Sequence, residues 1–336
     1  MKIATASKDF SARGKSAKRS TPATLQIRNV LVAIDFSAPS LEAIEAALPL
    51  IKHFGADLHL VHVFEPDYPA SSMVAIPLVV PELEVGEGVR RQLRDVAKDY
   101  SVPLRRENIH AIKGRPFEEI CRLAQEIDID LIVIATRGNT GLRHLVLGST
   151  AERVVRYSPC PVLVVRGSDS KKKPVKQLAT FRKILVPVDF SDCSTKGLDH
   201  AKALAREFKA KLILLYSIAL QYYVASDEYA RYDLPLLLEQ TDEAAKQQMR
   251  DLVQQTNWNG IEVETSIQIG HAGQQICAEA SDRKADLIAI STHGRTGFEH
   301  VFLGSTAEYV VRHASCPVLV VPSRERALPK SAVARK

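Results

Sequence analysis

The two halves of this 336-residue chain repeat one another. The run ATRGNTGLRHLVLGSTAERVVRYSPCPVLVV, starting at Ala135, faces STHGRTGFEHVFLGSTAEYVVRHASCPVLVV, starting at Ser291, with about twenty of its thirty-one positions identical. Upstream, NVLVAIDFS faces KILVPVDFS, GADLHLVHVFE faces KAKLILLYSIA, and IDIDLIVIAT faces RKADLIAIST. Solenoid units recur every ~20–50 residues, so a repeat this long means tandem domains. The domains are placed at 27–166 and 181–322. A linker at 167–180, with four Lys, two Ser and a Pro, joins them, and basic tails at 1–26 and 323–336 flank them, the first read as disordered.

Within each copy, short Val/Ile/Leu runs alternate with stretches of helical spacing. VLVAID, LHLVHVF, LRRENIHAI, DLIVIAT and PVLVV read as strands, and ILVPVD, KLILLYS, VETSIQI, DLIAIST and PVLVV repeat the set. SLEAIEAALPLIKHF and PFEEICRLAQE, with STKGLDHAKALAREF and AGQQICAEASD in the second copy, place apolar residues on one helical face. Nearly continuous apolar strands separated by helices indicate an α/β fold, a parallel sheet covered on both faces. Residues 65–82 and 218–236 are irregular and receive no element; Tyr222, Tyr223, Tyr229 and Tyr232 cluster in the second of these runs.

Hydrophobic residues make up 46% of the chain and charged ones 25%, which excludes disorder throughout. The formal charge of +6 is unevenly spread. Residues 1–24, 166–183 and 323–336 carry +5, +6 and +4, so the remainder holds −9. Basicity in tails and linker is not the basic face of a nucleic-acid reader, and no specific nucleic-acid partner is expected. No apolar run reaches the roughly 18 residues of a membrane helix, and MKIATASKDFSARGKSAKRS lacks an apolar signal core, so a cytoplasmic, non-membrane protein is expected. Of the five cysteines, Cys121 matches Cys277 and Cys160 matches Cys316. Residues copied by duplication, without ligand spacing, read as small buried core residues, not as disulfides or a metal site.

In an open parallel sheet, ligands bind beyond the carboxyl ends of the strands. Asp35 and Asp189 end the first strands, and Gly138 and Gly294 follow the fourth, so both fall on one rim. After nine intervening residues come Gly148, Ser149 and Thr150, or Gly304, Ser305 and Thr306, opening a helix. Ser149 and Ser305 suit an N-cap, and the glycines admit a close backbone approach. Free amides and the positive helix end would attract phosphate. Each Asp reads equally well as the N-cap of the following helix or as a group facing the hydrogen-bond donors of a base or ribose. His144 and His300 are within reach of a phosphate but, like His62, read as hydrogen-bonded supports; His293 faces Arg137, which argues against a shared catalytic role.

With these motifs the chain resembles a tandem universal stress protein, over both halves. The nucleotide-binding pattern of that family is GxxG, nine residues, then Gly with Ser or Thr. Here ATRG at 135–138 and STHG at 291–294 replace the first Gly by Ala135 and Ser291. The resemblance implies two sheets of order 3-2-1-4-5, the fold of adenine nucleotide alpha-hydrolases, associated through their last strands. It implies ATP, with or without Mg, at two pseudo-symmetric sites. Asp35 and Asp189 would take the adenine or ribose end, with Val63 and Ser217 near the base. Ile134 with Ala135, and Ile290 with Ser291, would line the nucleoside pocket. Gly138, Gly148, Ser149 and Thr150 would hold phosphates in the first copy, and Gly294, Gly304, Ser305 and Thr306 in the second. The family often has Pro two residues before the Asp; Pro187 keeps it and Ala33 does not. Arg295 adds a cation where the first copy has Asn139, which favours the second site.

No GxxxxGK[ST], GxGxxG or GxSxG motif occurs, so P-loop, dinucleotide-fold and hydrolase chemistry lack their signatures. Phosphoryl transfer needs a base, cations and metal ligands besides a phosphate seat. The expectation is therefore a regulatory stress-response module that binds ATP, with at most slow hydrolysis, its halves paired and with room for a homodimer. The alternatives are a scaffold with closed pockets and a slow ATP-hydrolysing or adenylating enzyme.

Overall fold

The computed structural model describes residues 25–65, 82–101, 104–136, 147–166, 181–219, 234–294 and 303–322. The 1–24 part of the first tail, the 167–180 linker, the 323–336 tail and the tyrosine cluster lie outside these residues.

In the first half the elements are β1 (Asn29–Ala33), α1 (Ala38–Phe54), β2 (Asp57–Phe64), α2 (Glu82–Asp99), β3 (Ile109–Lys113), α3 (Pro116–Glu126), β4 (Leu131–Ala135), α4 (Ser149–Tyr157) and β5 (Val162–Val165). The second half repeats them as β6 (Lys183–Pro187), α5 (Asp192–Phe208), β7 (Lys211–Ile218), α6 (Leu234–Gln255), β8 (Val263–Ile269), α7 (Ala272–Asp282), β9 (Leu287–Ser291), α8 (Ser305–His313) and β10 (Val318–Val321). Strand order is β3-β2-β1-β4-β5-β10-β9-β6-β7-β8. Each half thus has order 3-2-1-4-5, all parallel, as the family resemblance implies. The two sheets are continuous: β5 and β10 pair antiparallel, with Leu163 opposite Leu319. Two apolar strands that would otherwise be open edges satisfy each other's backbone groups.

Side chains alternate across this sheet into two buried layers. Val30, Val32, Leu60 and Leu163 face α1 and α2, and merge with Ile184, Val186, Leu214 and Leu319 of the second half. Leu31, Ile132 and Val164 face α3 and α4 and merge likewise with Leu185, Ile288 and Val320. Asp130 clips the lower end, its Oδ2 accepting from the amides of Arg28 (2.7 Å) and Asn29 (3.0 Å); Asp286 does the same for Arg182 and Lys183.

Helices α2 and α6 have no counterpart in the sequence reading. Gly86 and Gly88 each cost a helix about 1 kcal/mol relative to Ala and blur the apolar pattern of α2. Burial of Leu93 and Ala97 in α2, and of Ala245 and Met249 in α6, shows that packing overrides that propensity. The third strand is shorter than LRRENIHAI suggests, because a single 3-10 turn at Arg106–Asn108 precedes β3.

Candidate functional site

β1 and β6 deliver an Asp to the upper rim through a tight turn. Phe36 and Phe190 both have φ of 62°, in the left-handed region that bulky residues avoid. That conformation folds the chain back so that Asp35 Oδ1 accepts from the amide of Ser37 (3.0 Å) and from its hydroxyl. Ser37 in turn caps α1, its Oγ accepting from the Ser40 amide, while Ser40 Oγ donates to the Ser37 carbonyl (2.9 Å). Asp189, Ser191 and Ser194 form the same lock. The N-cap alternative for Asp35 and Asp189 is therefore corrected. Ser37 and Ser191 are the caps, because each Asp lies two residues before the cap, ahead of the left-handed Phe; each Asp instead holds its cap in place.

The fourth strands deliver the second wall. The amide of Gly148 donates to Thr136 O (2.8 Å) and that of Gly304 to Thr292 O (2.9 Å), which staples the two ends of each loop. A Cβ at Gly148 would lie 3.3 Å from Thr136 O, and one at Gly304 3.1 Å from Thr292 O. The glycines are small here for the sake of the strand-end carbonyl. They, not Ser149 and Ser305, are the N-caps of α4 and α8, and neither helix has a side-chain cap. This corrects the sequence reading: the staple leaves Gly in the extended cap conformation and makes each Ser the first helical residue. The first intrahelical bonds run from Glu152 N to Gly148 O and from Glu308 N to Gly304 O. The amides of Ser149, Thr150 and Ala151, and of Ser305, Thr306 and Ala307, precede those bonds, where a helix offers them no partner of its own.

Around these two walls, Ala33, Ile134 and Ala135 are buried in the first half, as are Ile290 and Ser291 in the second. Val63, Pro187 and Ser217 are half-buried, and Ser149 and Ser305 are exposed. Ser217 Oγ donates to Gly270 O (3.0 Å), and Ser291 Oγ donates to His293 O (2.7 Å), so both hydroxyls already serve the backbone. Gly294 lies beside Asp189: a Cβ at 294 would meet Oδ2 at 2.5 Å. Gly138 and Arg295, with Asn139, His144 and His300, lie outside the described residues. His62 Nδ1 is 2.7 Å from Ile34 O and its ring lies 4.7 Å from that of Phe36, a supporting role; Tyr216 and Phe190 replace that ring pair in the second half.

Carboxylates near an anion seat would oppose it, yet those in the first turns of α4 and α8 are paired. Glu152 meets Arg156 at 2.8 Å and, across the join, Arg312 at 3.5 Å; Glu308 meets Arg312 at 2.6 Å. Among the described residues, no group of three or more His, Cys, Asp or Glu is placed to hold a metal ion. All five cysteines are free, and burial raises the Cys121, Cys160 and Cys316 thiols to about 12 and Cys277 to about 11. Thr136, Thr292 and the serines at 37, 40, 191 and 194 were missed from sequence; the doubled pattern DFSxxS was the available signal.

A sequence profile of the universal stress protein family matches residues 26–166 and again 180–322. The chain belongs to the universal stress protein family. Among its relatives, a universal stress protein of Methanocaldococcus jannaschii is 36% identical over 149 residues, 43% of this chain and 85% of that protein. One from Mycolicibacterium smegmatis is 24% identical over 307 residues, 88% of this chain and 97% of that protein, and so spans both repeats. The crystal structure of a universal stress protein from Archaeoglobus fulgidus shares the fold, with a TM-score of 0.59 at 22% identity, covering 88% of this chain and 97% of that one. As a universal stress protein, this chain carries two family domains, and no helix among its described residues is long and apolar enough to cross a membrane.

Proposed function

We propose that each half of this universal stress protein binds one adenine nucleotide, ATP, as a regulatory ligand, with the paired halves acting as one unit. The observation that carries this reading is the pair of helix starts, α4 and α8, whose first amides lack side-chain caps. They share a rim with a locked carboxylate turn. Amides and helix dipole suit phosphate, and the Asp, its Oδ1 fixed by its serine, suits the donors of ribose or base. Gly138, Gly148, Ser149 and Thr150 would cradle phosphate in the first half, and Gly294, Arg295, Gly304, Ser305 and Thr306 in the second. Because Gly148 and Gly304 spend their amides on the loop staple, the following three amides would supply most donors. Ala33, Asp35, Val63, Ile134 and Ala135, with Pro187, Asp189, Ser217, Ile290 and Ser291, would surround the nucleoside. Any Mg would be held mainly by the phosphates. Turnover is at most slow, and the working location is the cytoplasm.

Calorimetric titration with ATP tests this. Two sites are expected in the intact chain, one after Gly148→Trp or Gly304→Trp, and none in the double variant, with circular dichroism confirming the fold. Ser291 Oγ committed to His293 O, and Gly294 against Asp189, favour a second reading for the second half alone, a closed scaffold pocket. A stoichiometry of one that Gly304→Trp leaves unchanged would select that reading.

A further inference from the structure

At the opposite, lower end of the strands lies a partly open cavity of about 290 Å³. Both halves build it. Leu50 and Leu204 come from α1 and α5, Leu131 and Leu287 begin β4 and β9, and Leu163 and Leu319 face each other across the β5–β10 pair. In each of these pairs one residue is the repeat counterpart of the other, as are Ile27 and Phe181 on the same wall. Such a lining places the cavity on the pseudo-twofold join.

The rest of the wall is asymmetric and comes mostly from the first half, where Gln26, Ile129, Asp130 and the Pro159–Pro161 turn line the cavity without their counterparts; from the second half, His200 lines it and its counterpart Ala46 does not. Both hydrogen bonds of Asp130 use Oδ2, so its Oδ1 accepts nothing from the described residues. His200 Nδ1 is 3.0 Å from Lys196 O, which leaves Nε2 for another partner. The cavity therefore combines an apolar body with three polar side chains, Gln26, Asp130 and His200, of which Asp130 is the acid.

We infer that this cavity is a binding site for a small lipophilic molecule whose head group donates a hydrogen bond, a hydroxyl or an ammonium. An apolar cavity of about 150 Å³ takes benzene, so this one accommodates an eight-carbon chain or a bicyclic ring. Asp130 selects the head: a donor or cation meets an available carboxylate oxygen, while a carboxylate ligand meets like charge. Because both halves supply the walls, an occupant is held by both and ties them together. The site shares no residue with the nucleotide pockets and does not depend on them.

Thermal unfolding and titration of the full chain with octylamine, 1-octanol and octanoate, each below its micelle concentration, test the inference. Octylamine and octanol are expected to raise the unfolding midpoint by several degrees, with octanoate binding at least fivefold more weakly. Leu204→Phe and Leu50→Phe, which fill the space, should each remove the effect while leaving the unliganded midpoint near its original value. Asp130→Asn, whose carbonyl can still accept from Arg28 and Asn29, should abolish the discrimination against octanoate. The inference is overturned if none of the three probes shifts the intact chain, or if the shift survives in both filled variants.

Discussion

Asp189 and Gly294 are in contact across the rim: a Cβ at 294 would lie only 2.5 Å from the carboxylate Oδ2, too close for either to stay in place. Oδ1 of the same carboxylate is fixed by Ser191, so the group has little freedom to retreat. Gly294→Ala is therefore expected to destabilise the second half by about 1–3 kcal/mol and to weaken any ATP binding there. In an Asp189→Ala background the same change should cost at least about 0.5 kcal/mol less. Denaturant unfolding of the four chains of this cycle measures the difference; equal costs in both backgrounds would remove the contact from the account.

The serine locks give a second expectation. Loss of an N-cap costs about 0.5–2 kcal/mol, and Ser37 also supplies the hydroxyl that holds Asp35. Ser37→Ala should fall at the upper end of that range, with Ser191→Ala alike. Ser149→Ala, in contrast, should change stability by less than about 0.5 kcal/mol, because Gly148 and not Ser149 is the cap. Urea midpoints of the three variants distinguish the two kinds of serine.

Much of this fold was legible because each element is written twice. The five-strand pattern and the α/β class follow from apolar runs and helical spacing that both copies share, whereas the strand order comes only with the family resemblance. The site was legible only in outline. Asp35, Gly148 and their counterparts could be placed on one rim by position, but which residue caps α1 and α5 depends on Phe36 and Phe190 in a left-handed conformation, and no local propensity predicts a bulky residue there. Thr136 and Thr292 act through backbone carbonyls, which side-chain identity does not reveal. Helices α2 and α6 were lost because tertiary burial of Leu93 and Met249 outweighs the glycines and polar residues around them.

A pH dependence follows from the first half alone. His59 Nδ1 and His110 Nε2 lie 3.2 Å apart on β2 and β3. Burial lowers the pKa of both: it outweighs the opposing pull of Asp57 on His59, and together with the neighbouring His59 it takes His110 to about 4. In the unfolded chain both titrate near 6.5. The unfolded chain thus binds more protons below that pH, and the contribution of the pair is fully present above about 6.5 and lost as pH falls toward 4. The second half has Ile213 and Ser266 at these places. His59→Ile with His110→Ser should therefore lose less stability between pH 7.5 and 5 than the parent chain, as read from denaturant unfolding at both values.

Thiol chemistry separates the cysteines. With Cys121, Cys160, Cys277 and Cys316 raised to about 11–12 by burial, almost none of these thiols is ionised at pH 8. Brief iodoacetamide treatment of the native chain should modify at most Cys193, and all five after denaturation, as mass spectrometry would show.

Amide NMR during an ATP titration tests the central claim most directly, because it reads the backbone donors themselves. The account predicts that the largest shifts fall on the amides of Ser149, Thr150 and Ala151 and of Ser305, Thr306 and Ala307, saturating together with two equivalents of ATP. Unchanged resonances at both helix starts, under saturating ATP, would contradict it.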